Sequence, residues 1–181
     1  MLTLSPIYLP DEGIENFVKL GLEHNRIDAG GPFGGLDTPE FAIVNPNRLV
    51  PVIEDETGFR LYESNAIVRY LARTHGWGTL APSDEQHRAL ADQWMDWSLT
   101  TLYPDVIATL FLGLIRTPIQ DRNPATIEAA AKRAGDKLAI LDAQLVGRPY
   151  ILGDTLTMAD IAVGAQMFRY FTLDTARPPL A

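Results

Sequence analysis

Two short stretches hold residue types whose spacing could do chemistry: Val50-Pro51, inside the apolar run Leu49-Val50-Pro51-Val52-Ile53, and Glu63-Ser64, just before a helical pattern. The run reads as a strand, yet proline cannot donate to a ladder and belongs at an edge, a strand start or a bulge. A cis bond at Val50-Pro51 turns the Val50 backbone outward and frees its N–H and C=O to pair with an extended peptide. A helix opening at Ser64 offers unsatisfied N–H groups and a positive dipole end, which suit a carboxylate. A short peptide with a terminal carboxylate and a backbone amide could bridge the two. The plainer alternative is that Pro51 marks an edge strand and Ser64 only caps a helix.

Other chemistries find little footing. The 181 residues include no cysteine, which removes disulfides, thiolate metal sites and a protein thiol nucleophile. His24, His75 and His87 stand apart without ligand spacing, so no metal is expected. Four glycines crowd Ala29 to Pro39, but no Lys-Ser/Thr follows, so a phosphate loop is not expected. A net charge of −8 gives no basic patch for nucleic acid and disfavours anionic membrane surfaces. The sequence shows no apolar run near the roughly 18 residues of a membrane span and no signal peptide at Met1-Leu2-Thr3-Leu4, so a soluble cytoplasmic protein is expected.

The elements that must position these residues follow from the chain in order. Met1 to Leu4 reads as an inner strand, Ser5 to Gly13 as a breaker-rich loop, and Ile14 to Leu20 as a short helix closed by Gly21. Leu22 to Asp28 reads as a second strand, and Thr38 as a cap before Pro39. Asp55 to Gly58 has turn chemistry ahead of a strand at Phe59-Arg60-Leu61-Tyr62. The next helix should have Ser64 as N-cap, run to about Thr74 and stop at Gly76, with Ala66, Ile67, Tyr70 and Leu71 on one face. Trp77 to Pro82 reads as a linker, and Ser83 with Gln86 as a capping box. The helix beyond should kink or end at Pro104, and a second apolar segment runs from Val106 to Ile115. Asn123-Pro124 opens a helix that ends at Gly147, and Thr157 with Asp160 caps the last one.

Three motifs give these elements a family likeness. NPxxxVPV at Asn45 to Val52, ESNAIxxYLA at Glu63 to Ala72 and GDxLTxADI at Gly153 to Ile161 resemble the cytosolic glutathione S-transferases, bacterial in type. The resemblance implies an α/β thioredoxin-like domain over residues 1–77, followed by an all-α helical domain over 83–181. It also implies a cis VP peptide whose valine backbone pairs with the cysteinyl part of glutathione, and an E-S pair that holds the γ-glutamyl end. Those roles fall on Val50, Pro51, Glu63 and Ser64. Arg48 is placed either to meet the glycyl carboxylate or as a solvated loop charge. The likeness is poor from Ser5 to Gly21, where the family has a longer first helix opened by a catalytic serine or tyrosine. The family also usually adds a helix beyond the point where this chain stops, at Ala181.

In such proteins a hydroxyl hydrogen-bonds the thiolate of bound glutathione, whose thiol near pKa 8.5 is otherwise mostly protonated at neutral pH. Ser5 and Tyr8 are the candidates, each with a plain structural alternative as loop serine or half-buried tyrosine. Trp97, Tyr103, Phe111 and Leu114 are either walls of an electrophile pocket or core. The implied function is a detoxification transferase joining glutathione, as co-substrate and without a metal, to a small hydrophobic electrophile. It would act as a homodimer, with neither nucleic acid nor membrane as partner. The alternative is a non-catalytic module of the same fold that binds glutathione or a protein.

Overall fold

The structure is a computed structural model and describes residues 4–9 of the first strand, by backbone alone, then residues 20–175 and 177. The chain divides into two compact units, Met1–Gly76 and Trp77–Ala181. The first is a thioredoxin-like α/β unit and the second is built of helices.

The first unit is a four-stranded mixed sheet of β1 (Leu4–Leu9), β2 (His24–Asp28), β3 (Val52–Asp55) and β4 (Arg60–Tyr62), in the order β2-β1-β3-β4. β1 runs parallel to β2 and antiparallel to β3, and β3 pairs antiparallel with β4. This corrects the expectation of a strand ending at Leu4 and a loop from Ser5. Strand pairing continues to Leu9 because the register shifts between Leu4 and Ile7 on both sides. That irregularity accommodates Pro6, which lacks a ladder donor. The helix expected over Ile14 to Leu20 lies largely outside the described residues.

Helix α1 (Pro39–Val44) is capped by Thr38, whose hydroxyl oxygen accepts from the Phe41 N–H at 3.1 Å. The tight β3–β4 turn is fastened by Asp55. One of its carboxylate oxygens accepts from the Thr57 N–H and hydroxyl and from the Phe59 N–H, while Gly58 turns at φ 82°. Helix α2 (Ser64–His75) then returns across the sheet, burying Ile67 and Leu71 against Ile53. Leu20, Leu22, Leu61 and Tyr70 close that core from its margins.

The second unit is organised around one continuous helix, α3 (Glu85–Arg116). Its N-cap is Asp84, which accepts from the His87 N–H at 2.9 Å, and not the expected Ser83. Pro104, expected to kink or end the helix, does not end it. A π-helical turn over Ser98–Leu102 precedes it, and a second π-helical stretch covers Val106–Arg116. Wider turns change which amides must find acceptors, so a proline that would break an α-helix is absorbed. Buried Met95, Leu102, Val106 and Leu110 form the inner face of α3. Against it pack α4 (Pro124–Leu145), which buries Ala134 and Leu138, and α5 (Met158–Thr172), which buries Val163 and Tyr170.

Length and apolarity make α3 able to cross a membrane, which corrects the expectation that no segment approaches a span. The helix also carries the buried Asp105, bound to Arg133 and Lys137 of α4.

Candidate functional site

The Val50-Pro51 peptide is cis and leads directly into β3. β3 lies between β1 and β4, so Pro51 sits ahead of an inner strand and not along an edge. Its missing donor falls before the ladder begins. Val50 is half-buried, whereas the next two strand residues, Val52 and Ile53, are sealed in the core.

The segment between α1 and Val50 is built around Asn45, a residue given no role of its own above. It is buried, and its side chain bonds both to Leu49 C=O and to the Asn47 N–H. The Asn-Pro dipeptide of the motif was the available signal, because asparagine commonly bonds backbone two residues on. Arg48 lies within this loop at φ 55° and is exposed. Its guanidinium donates to Asp37 C=O at 2.9 Å and stands 3.7 Å from the Asp37 carboxylate. The structure therefore ties Arg48 to the 30–38 loop.

Glu63 and Ser64 join β4 to α2. Ser64 is the first helical residue, and Glu63, not Ser64 as expected, occupies the cap position. Glu63 has φ 75° and ψ 113°, its side chain makes no capping bond, and its C=O accepts from the Ile67 N–H at 3.0 Å. A non-glycine residue at positive φ is uncommon and is found chiefly where a site imposes it. Here it turns the chain abruptly out of the sheet and into the helix. Glu63 and Ser64 both end up exposed at the helix N-terminus, so a carboxylate and a hydroxyl flank its positive end.

Ser5 and Tyr8 are both strand positions on β1. Tyr8 pairs with Ile27 of β2 and with Val52 of β3, the residue just after Pro51. Ser5 follows Leu4, whose β3 partner is Asp55, at the far end of that strand. By backbone register Tyr8 is thus the nearer of the two to Val50-Pro51.

In the helical unit Trp97, Tyr103, Phe111 and Leu114 all lie on α3, and none of the four is fully buried. Trp97 meets Trp94 edge to face with centroids 5.0 Å apart. The Arg169 guanidinium stands 5.6 Å from the Phe111 ring centre.

Two family models match the chain. One is described as the glutathione S-transferase N-terminal domain, over residues 20–74, and the other as the glutathione S-transferase C-terminal domain, over residues 124–181. Glutathione S-transferase GstB of Escherichia coli K12 is 38% identical over 166 residues, spanning 90% of this chain and 79% of that protein. A theta class glutathione S-transferase of Xanthomonas axonopodis pv. citri, solved with glutathione bound, is 37% identical. It superposes with a TM-score of 0.89 over 99% of this chain and 86% of the other. A glutathione transferase of Burkholderia graminis, solved with two glutathione molecules per subunit, is 27% identical. Its TM-score is 0.82, over 94% of this chain and 73% of the other. With both halves matched, and with relatives at this identity covered over most of their length, the chain belongs to the glutathione S-transferase family, as a glutathione transferase of the bacterial type.

Proposed function

We propose that the chain binds glutathione along the Val50 backbone and at the N-terminus of α2, and conjugates its thiolate to a small hydrophobic electrophile. Val50 pairs with the cysteinyl backbone, Glu63 and Ser64 receive the γ-glutamyl end, and Pro51 shapes the Val50 main chain. Arg48 is a further candidate, for the glycyl carboxylate. The observation that carries this reading is the glutathione-bound relative, 37% identical across 99% of the chain. The exposed carboxylate and hydroxyl at the head of α2 agree with it, since they match the ammonium and carboxylate of an amino-acid terminus.

Chemically, the site has to favour the thiolate over the thiol, and a hydroxyl donating to sulfur does so without acting as a base. Ser5 or Tyr8 supplies it. The thiol proton leaves to solvent, and the sulfur lone pair attacks the electrophilic carbon. A C–S bond forms, and a leaving group such as a halide departs with its bonding electrons. No metal takes part. The protein works as a cytoplasmic homodimer, apart from nucleic acid and membrane, in keeping with its net charge of −8.

Conjugation of glutathione to an aromatic halide tests the proposal. Glutathione-dependent turnover is expected. One of Ser5→Ala and Tyr8→Phe should lower kcat by about a hundredfold, the usual cost of removing one preorganised donor to a developing anion. Full turnover in both variants would sink the assigned hydroxyls. Retained binding to immobilised glutathione with no turnover at all would point to a non-catalytic binder.

A further inference from the structure

The loop that ends at Val50 has no apolar anchor of its own. Pro46, Asn47, Arg48 and Leu49 are all exposed, and Arg48 holds a left-handed φ of 55° that its neighbours must impose. The ties come from Asn45, which is only 2% exposed. Its N–H donates to Phe41 C=O at 2.8 Å, fastening it to the end of α1. Its C=O accepts from the Arg48 N–H at 2.9 Å. The side-chain Oδ1 accepts from the Asn47 N–H at 2.9 Å, and Nδ2 donates to Leu49 C=O at 2.8 Å. The Arg48 guanidinium adds an outer tie to Asp37 C=O.

The Nδ2 bond has a specific geometric consequence. Leu49 C=O and the Val50 N–H belong to one planar peptide unit, and in a trans peptide they point in opposite directions. The one cis bond found among the described residues is the next one along, Val50-Pro51. Holding Leu49 C=O toward the buried Asn45 amide therefore aims the Val50 N–H away from it. We infer that Asn45 is a positioning residue for glutathione: by gripping Leu49 C=O from within, it sets the direction in which the Val50 amide is offered to the ligand. The inference rests on the proposed glutathione site at Val50.

Preorganisation of this kind acts on binding and not on the sulfur, so its loss should raise KM and leave kcat alone. Asn45→Asp separates the two side-chain bonds: a carboxylate still accepts from Asn47 but no longer donates to Leu49. Affinity for S-methylglutathione, which has no ionisable thiol, should fall about tenfold at neutral pH, the scale of one hydrogen bond. The glutathione KM should rise by the same factor, with kcat changed by less than about twofold. Acidification should restore S-methylglutathione binding in Asn45→Asp toward that of the unmodified chain, because the protonated acid can again donate to Leu49 C=O. A measurement on the unmodified chain stands even if the variant folds poorly. The Asn45 side-chain amide and the Val50 N–H resonances should shift together on adding S-methylglutathione. An unmodified chain that fails to bind S-methylglutathione refutes the glutathione site itself. Binding by the unmodified chain with an unmoved Val50 resonance refutes the proposed Val50 contact, whereas a shifted Val50 resonance with Asn45→Asp equal to the unmodified chain in affinity overturns only the role of Asn45.

Discussion

Glu63 is the residue at which backbone and side chain make opposing demands. A positive φ suits glycine, while the proposed contact with the γ-glutamyl ammonium needs a carboxylate. Holding a non-glycine residue there costs on the order of 1 kcal/mol. Glu63→Gly should therefore leave the thermal midpoint unchanged or raise it, while glutathione affinity falls about tenfold or more with the lost charge-assisted contact. A thermal melt beside a glutathione titration separates the two effects, and a variant that binds normally removes Glu63 from the site. Asp55 shows a different balance at the same scale. The Thr57 hydroxyl is the main cause that holds its carboxyl below the ordinary aspartate range; burial pushes the other way, and the Thr57 and Phe59 amides add to the lowering. A depressed folded-state pKa means the carboxylate stabilises the fold at all pH values above the ordinary one. That contribution is lost as pH falls through the lower folded value. The difference in thermal midpoint between the unmodified chain and Asp55→Asn should be constant near neutrality and shrink below about pH 4.

At the scale of elements, helix starts were legible where a short polar side chain has a free amide in reach. Thr38, Asn123 and the Thr157–Asp160 pair all cap where their spacing predicts. Ser64 was misplaced by one because nothing local announces that a glutamate will adopt positive φ. Proline was the weaker guide. Pro6 and Pro104 read as breaks, yet tertiary pairing carries β1 past the first and wide helical turns carry α3 past the second. The signals also understate Asp160. Its second carboxylate oxygen accepts from the Ile151 N–H at 2.7 Å while the first accepts from the Thr157 N–H at 2.8 Å. One side chain thus holds both the start of α5 and the turn before it. Asp160→Ala should cost about 2–3 kcal/mol, above the roughly 1 kcal/mol of an ordinary cap, because a second amide loses its acceptor. Urea unfolding checks this, and a loss below about 1 kcal/mol would show that the Ile151 bond contributes nothing.

For the whole molecule, the motifs made the two-part fold and the cis Val50-Pro51 bond legible, because both are written in contiguous residues. Less legible was whatever depends on long-range pairing: the extent of β1, the buried Asn45 network, and the fate of α3. That helix has the length and apolarity of a membrane span, but two observations weigh against that use. Ser98, Leu102, Val106, Ile107 and Leu110 are already buried within the helical unit. Asp105 lies mid-helix, where burial raises its pKa but the Arg133 and Lys137 bonds outweigh this and keep it low. A carboxylate held ionised between two bases of a neighbouring helix is set up for a protein interior, whereas a lone charge in hydrocarbon costs roughly 2.5–3.5 kcal/mol even by the lenient insertion scales. Taking α3 into lipid would break that cluster and uncover the inner faces of α4 and α5. The protein should therefore stay in the supernatant after sedimentation with phosphatidylcholine vesicles, and its tryptophan emission, from Trp77, Trp94 and Trp97 together, should not shift on their addition. Asp105→Asn loosens the tie without removing apolar surface. It should lower stability by about 1–3 kcal/mol, less than for a fully buried pair because Arg133 is half exposed, and still give no vesicle binding. Co-sedimentation of the unmodified chain would mean that α3 leaves the bundle and that the helical unit has a membrane-bound form.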